Sequence, residues 1–217
     1  MFLPLLIAAV VGYLLGSLPF GYLVARAHGV DIFKAGSGNP GATNVKRVLG
    51  SRAGNTVYFL DALKGAVAAG WPVVWCFMVH RRGDVDGDGI SDAYIWGIPG
   101  LVAAVVGHSF SIFTHFKGGK GVATASGGLF VLMPVSGLIA VLIWLVTFLL
   151  SRYVSLASIL ASLSVLASAW WLRLPLALEV VATVLSLLVV VRHHSNLRRL
   201  IAGTEHRWER KRPGGDP

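Results

Sequence analysis

The chain has 217 residues, of which 55% are apolar and only 13% charged, with a mean hydropathy of +0.70. Soluble domains carry roughly 25% charge, so this composition excludes an ordinary water-soluble domain. Lys and Arg number 19 against 10 acidic residues, a formal net charge of +9; they sit at the ends of apolar runs, which sets nucleic acid aside as a partner and fits orientation in a bilayer.

In chain order, apolar runs fall at about 1–26, 54–80, 93–108, 121–133, 135–151, 154–172 and 176–192. A spanning helix needs about 20 such residues, fewer where the membrane is thinned, so the expected fold is all-α: a polytopic integral membrane protein of about seven transmembrane helices. The first run has no basic stretch before it and reads as a retained span, not a cleaved signal peptide. Pro134 divides a long apolar stretch into two runs and Pro175 opens the last one, because proline cannot continue a helix as a hydrogen-bond donor. Cys76 lies inside a run and reads as a small core hydrophobe. Residues 1–205 are expected to form one membrane-embedded domain, and 206–217 are expected to be a basic, flexible tail on the cytoplasmic side.

Seven spans make the connecting segments alternate sides. One side then carries Arg26, Lys34, Lys46, Arg47, Arg52, Lys117, Lys120, Arg152 and seven residues from Arg192 to Arg212. The other carries Arg81, Arg82 and Arg173, and Lys64 stays within a span. Positive charge marks the cytoplasmic side, so the N-terminus is expected outside and the C-terminus inside. Segments 31–53, 107–120 and 192–217 thereby share the cytoplasmic face.

Those segments hold the unusual chemistry. Gly36 to Asn44 reads GSGNPGATN. Glycine accepts positive φ, so successive amides can form an anion nest, and a helix expected to begin near Thr43 or Asn44 adds its positive end. A plain turn between helices is the other reading. Lys46 and Arg47 follow at once. Gly107 to Thr124 reads GHSFSIFTHFKGGKGVAT, placing Lys117 and Lys120 around Gly118 and Gly119; this is not a Walker A sequence. The lysines either neutralise an anion or snorkel to headgroups. Arg192 to Glu205 reads RHHSNLRRLIAGTE, with His193 and Asn196 three apart and so on one helical face. Ser155 and Ser158 share a face at the start of a helix, either bridging helices or touching a ligand. Asp61 and Lys64, also three apart, lie within a span and read as a structural ion pair. The acidic segment Asp84 to Asp92 has the spacing of a calcium loop but Ile95 at the twelfth position, so it reads either as a weak calcium site or as a solvated turn. No GxSxG elbow or HExxH helix occurs, and no His is followed by Asp five positions on. The chemistry therefore needs an already activated substrate, or none takes place.

Taken together and in this order, GSGNPGATN, GHSFSIFTHFKGGKGVAT and RHHSNLRRLIAGTE resemble the bacterial acyl-phosphate-dependent glycerol-3-phosphate acyltransferases, the PlsY family. The resemblance runs nearly from Met1 to Glu205. It implies a seven-helix enzyme of the cytoplasmic (inner) membrane that moves a fatty acyl group from acyl phosphate to the 1-hydroxyl of glycerol 3-phosphate. Lysophosphatidate and phosphate leave. The partners are then these two substrates and membrane lipids; no cofactor, no metal and no obligatory protein partner is expected. On this resemblance Ser37, Arg47, Lys120, His193 and Asn196 are the catalytic candidates. Gly36, Gly38, Asn39, Gly41, Thr43, Asn44, Lys117, Gly118, Gly119, Ser155 and Ser158 are the substrate-binding ones. Ser37 and the amides from Gly36 to Gly41 would cradle the acyl-phosphate head, and the basic residues would hold glycerol 3-phosphate. A phosphate transporter would instead be expected to show polar groups at the midplane and related halves, which the spans largely lack. A scaffold would leave the glycine-lysine loops unexplained.

Overall fold

The computed structural model describes residues 2–80 and 90–208, and every regular element among them is helical. The helices are α1 (Phe2–Ser17), α2 (Phe20–Ala27), α3 (Ala42–Leu49), α4 (Ser51–His80), α5 (Ile90–Ser109), α6 (Val122–Leu132), α7 (Pro134–Ser151), α8 (Val154–Trp171), α9 (Leu176–Arg192) and α10 (His194–Ile201). Of the acidic segment with calcium-like spacing, residues 84–89 lie outside the described residues.

All seven expected apolar runs are helical, but not all are spans of full length. Five segments have spanning length and hydropathy: Phe2–Ala27, Ser51–Met78, Ala93–Thr114, Pro134–Ser151 and Val154–Trp171. α9 passes the same test only together with α10, from which a 58° bend separates it, so it counts as a sixth only as a broken span. The 11 residues of α6 rise only about 16 Å, against about 30 Å of hydrocarbon. Pro134 occupies the first position of α7 and Pro175 caps α9, as their chemistry requires.

The first run departs from the uninterrupted helix expected of it. It breaks at Leu18–Pro19, between α1 and α2. The break exposes the Leu18 carbonyl, and Lys64 of α4 supplies the partner: its Nζ donates to Leu18 O at 2.8 Å. The same ammonium pairs with Asp61 at 2.8 Å, both side chains 3% exposed, and His108 Nδ1 of α5 lies 3.5 Å from that carboxylate. Asp61 and Lys64 are thus the ion pair expected from sequence. They lock four elements together where an unpaired charge would be costly.

Packing elsewhere depends on small residues, because lipid removes the hydrophobic drive between helices. α1 lies along α5, with Gly12 facing the backbone of Gly100 closely enough that a Cβ would clash. α4 packs on α6 with Gly65 pressed to the Thr124 carbonyl. α7 and α8 form a hairpin, and α9 joins α8. The buried apolar cluster runs from Ala69 and Val73 through Leu101 and Leu129 to Leu185; Cys76 is part of it.

Candidate active site

The loop before α3 is shaped by glycine and held by asparagine. Gly36 (φ 59°) and Gly38 (φ 69°) adopt the left-handed region, and a Cβ on Gly36 would strike the Asn44 carboxamide. Asn44, 2% exposed, accepts from the Ser37 amide at 2.8 Å and donates to Ala35 O at 2.9 Å. Asn39 Oδ1 accepts from the Gly41 amide at 2.9 Å, and Gly38 N–H bonds Ala35 O at 3.0 Å. Pro40 has no N–H, so three of the five amides from Gly36 to Gly41 are already bonded within the loop. The open anion nest expected here is largely closed in this conformation. What the loop presents is the exposed Ser37 side chain, with Thr43 in the first turn of α3 and Arg47 one turn on. That helix begins at Ala42, just before the expected start.

The second glycine pair also has a packing reason. Gly119 N–H donates to His108 O at 3.0 Å. A Cβ on Gly118 would meet the backbone of His108 and Ser109, and one on Gly119 the His108 ring. Their carbonyls accept from Arg192 Nη2 at 3.2 and 2.8 Å. Close approach to α5, and not a free Gly119 amide, is what these glycines provide. Lys117 is exposed, whereas Lys120 turns inward and donates from Nζ to Asn196 Oδ1.

The third stretch meets the other two at one end of the bundle. His193 sits at the bend between α9 and α10, which turns the charged α10 away from the span. Its Nδ1 lies 2.8 Å from Val189 O. A carbonyl only accepts, so Nδ1 carries the proton and Nε2 keeps its lone pair. Asn196, one turn on, relays Lys120 to Glu205: its Nδ2 donates to Glu205 Oε1 at 2.7 Å. Ser155 Oγ donates to the same oxygen at 2.9 Å, and Arg199 Nε to Oε2 at 2.7 Å. Ser158 is not part of this network. Its hydroxyl bonds Val154 O and accepts from Trp144 of α7, which is the helix-bridging reading.

Charge is unbalanced here. Arg47, Lys120 and Arg199 lie around the Glu205 carboxylate, with Arg192 near Lys120. Burial would raise the Glu205 pKa, but hydrogen bonds from Asn196, Ser155 and Arg199 hold it below its ordinary value. Lys120 is lowered to about 8, first by burial and then by neighbouring arginines, against the opposing pull of Glu205. Burial also lowers Arg47. His193 falls to about 4 through burial and the nearby Lys120 ammonium. The site is therefore a partly dehydrated cationic cluster with a neutral imidazole, suited to a multiply charged anion.

A family model described as Glycerol-3-phosphate acyltransferase matches residues 6–203. The chain belongs to that family. Proteins named Glycerol-3-phosphate acyltransferase from Aquifex aeolicus and Geobacter sulfurreducens are 42% and 43% identical to it, over 94% of this chain and 98% and 97% of theirs. The relative of the same name from Thermus thermophilus is 41% identical over 91% of this chain and 92% of its own. A crystal structure of PlsY, an integral membrane glycerol 3-phosphate acyltransferase in its glycerol 3-phosphate form, superposes with a TM-score of 0.82. It is 40% identical and covers 94% of this chain and 96% of that one. In this glycerol-3-phosphate acyltransferase family member, sequence reasoning missed Arg192 and Glu205 as parts of the site. Glu205 closed the third motif, and an acidic residue amid so many bases was the available signal.

Proposed function

We propose that this chain transfers a fatty acyl group from acyl phosphate to the 1-hydroxyl of glycerol 3-phosphate, releasing lysophosphatidate and phosphate. The observation that carries this reading is the meeting of Arg47, Lys120, His193, Asn196 and Ser155, drawn from distant segments, around one carboxylate. Family membership supports the acceptor. The absence of a nucleophile motif supports an activated donor.

In this reading Arg47, Lys120 and Asn196 hold the phosphate of glycerol 3-phosphate, with Ser155 at its edge, while Ser37 and the exposed Lys117 meet the donor's head. The acceptor hydroxyl attacks the acyl carbonyl, the carbonyl–phosphate bond breaks, and phosphate departs with the electron pair. A mixed anhydride has a good leaving group, so positioning and charge neutralisation supply most of the acceleration. The proton goes to the substrate's own phosphate. His193, at about 4, is a weaker base than a phosphate monoester dianion, whose conjugate acid has a pKa of about 6. His193 instead donates to the bound dianion once that charge raises its proton affinity.

The charge distribution supports placing this end of the bundle at the cytoplasmic leaflet of a bacterial inner membrane. Purified protein given labelled glycerol 3-phosphate and palmitoyl phosphate should form labelled lysophosphatidate. No label in lipid with an intact, phosphate-binding protein would defeat the assignment.

A further inference from the structure

The chain beyond α10 doubles back across the site. Gly203 (φ 67°) takes the left-handed turn, and the Thr204 amide bonds Arg199 O at 2.8 Å, closing the helix. The next residues reach three other elements. Glu205 enters the cationic pocket, Arg207 lies over the Tyr153 ring at 6.0 Å, and the Trp208 amide donates to Arg152 O at 2.9 Å. The Trp208 ring then stacks beneath Lys46 Nζ at 5.3 Å, and Lys46 is the neighbour of Arg47 on α3. The family match ends at residue 203, so this strap lies past it.

What the strap holds in place is an anion. Ser155 has one hydroxyl proton, and it is given to Glu205. One Asn196 N–H is given to the same oxygen. In the functional reading above both residues serve the phosphate of glycerol 3-phosphate. Ser155 cannot donate to both at once.

We propose that Glu205 occupies the place of the substrate phosphate, and that Trp208, latched on Lys46 and Arg152, holds it there until glycerol 3-phosphate displaces it. This rests on the assignment of Ser155 and Asn196 to the phosphate. Trp208 is then a positioning residue: it touches no reacting atom, and it sets how strongly the placeholder competes. The carboxylate gives Arg47, Lys120 and Arg199 a common counterion, and the dianion takes over that duty on arrival. A purely structural strap would have no reason to release Ser155.

Two variants read this out. Trp208→Ala removes the cation–π contact, worth about a two- to fivefold factor at a half-exposed site. It should lower KM for glycerol 3-phosphate by that factor and leave kcat unchanged. Trp208→Phe supplies the spectroscopic reference: the fluorescence difference between wild type and Trp208→Phe isolates the Trp208 signal. Titration with inorganic phosphate should change it saturably, and glycerol 3-phosphate should do so at a lower concentration. An unchanged or raised KM in Trp208→Ala, or a difference signal indifferent to both anions, overturns the proposal. The phosphate arm requires no acyl transfer, so a failure of the enzymatic assignment registers separately, as missing labelled lipid.

Discussion

Lys120 should impose the alkaline limb of the pH profile. Its ammonium is largely enclosed, bonded to Asn196 and held near a pKa of about 8 by burial and adjacent arginines. The lowered value means that the charge is present below about 8 and lost above it. At pH 7 about nine-tenths of the free enzyme carries the charge, and at pH 9 about one-tenth. Glycerol 3-phosphate is a dianion throughout this window, since its second ionisation lies near pH 6. The free-enzyme value governs kcat/KM, so kcat/KM for glycerol 3-phosphate should fall roughly tenfold between pH 7 and pH 9, while kcat falls less because bound dianion restores the proton. Initial rates of label transfer at low glycerol 3-phosphate and saturating palmitoyl phosphate measure it. Lys120→Arg keeps its charge across the range. It should lose the falling limb even if its activity at pH 7 is reduced. A limb with the same midpoint in Lys120→Arg would refute the reasoning.

Other expectations concern the imidazole and the buried ion pair. His193→Ala and Arg47→Ala should both raise KM for glycerol 3-phosphate, each by roughly tenfold or more for a lost charge-assisted contact; turnover lost in His193→Ala with KM unchanged would mark His193 as the base. Asp61→Ala leaves Lys64 buried without its counterion and should cost about 3–5 kcal/mol of stability. The double variant Asp61→Leu, Lys64→Met should recover most of that in thermal unfolding in detergent. Failure to recover would assign the pair a role beyond its mutual neutralisation.

Most of the fold was legible because hydropathy and proline placement are local signals. The runs read at 176–192 and 154–172 coincide with α9 and α8 to within a residue. The break at Leu18–Pro19 was not read, because an apolar run hides a proline whose freed carbonyl is satisfied by a lysine 46 positions away. Likewise hydropathy recognised the segment of α6 but not how little depth 11 residues cover. At the site, residue types pointed to segments that meet in the fold, yet the use of each amide was invisible. The Ser37 and Gly119 amides are bonded to Asn44 and His108, pairings that exist only once helices are assembled. Ser155 and Ser158 share a face and were equivalent in sequence. The structure separates them, because Trp144 comes to one and Glu205 to the other.

The account rests on three distant stretches converging on one side of the bilayer. Single cysteines at Lys34, Lys117 and His206, all exposed, in a Cys76→Ala background allow that to be measured with a membrane-impermeant maleimide. All three should react in inverted inner-membrane vesicles and stay unlabelled in intact cells. Labelling of any one from the opposite side to the others would contradict a shared site.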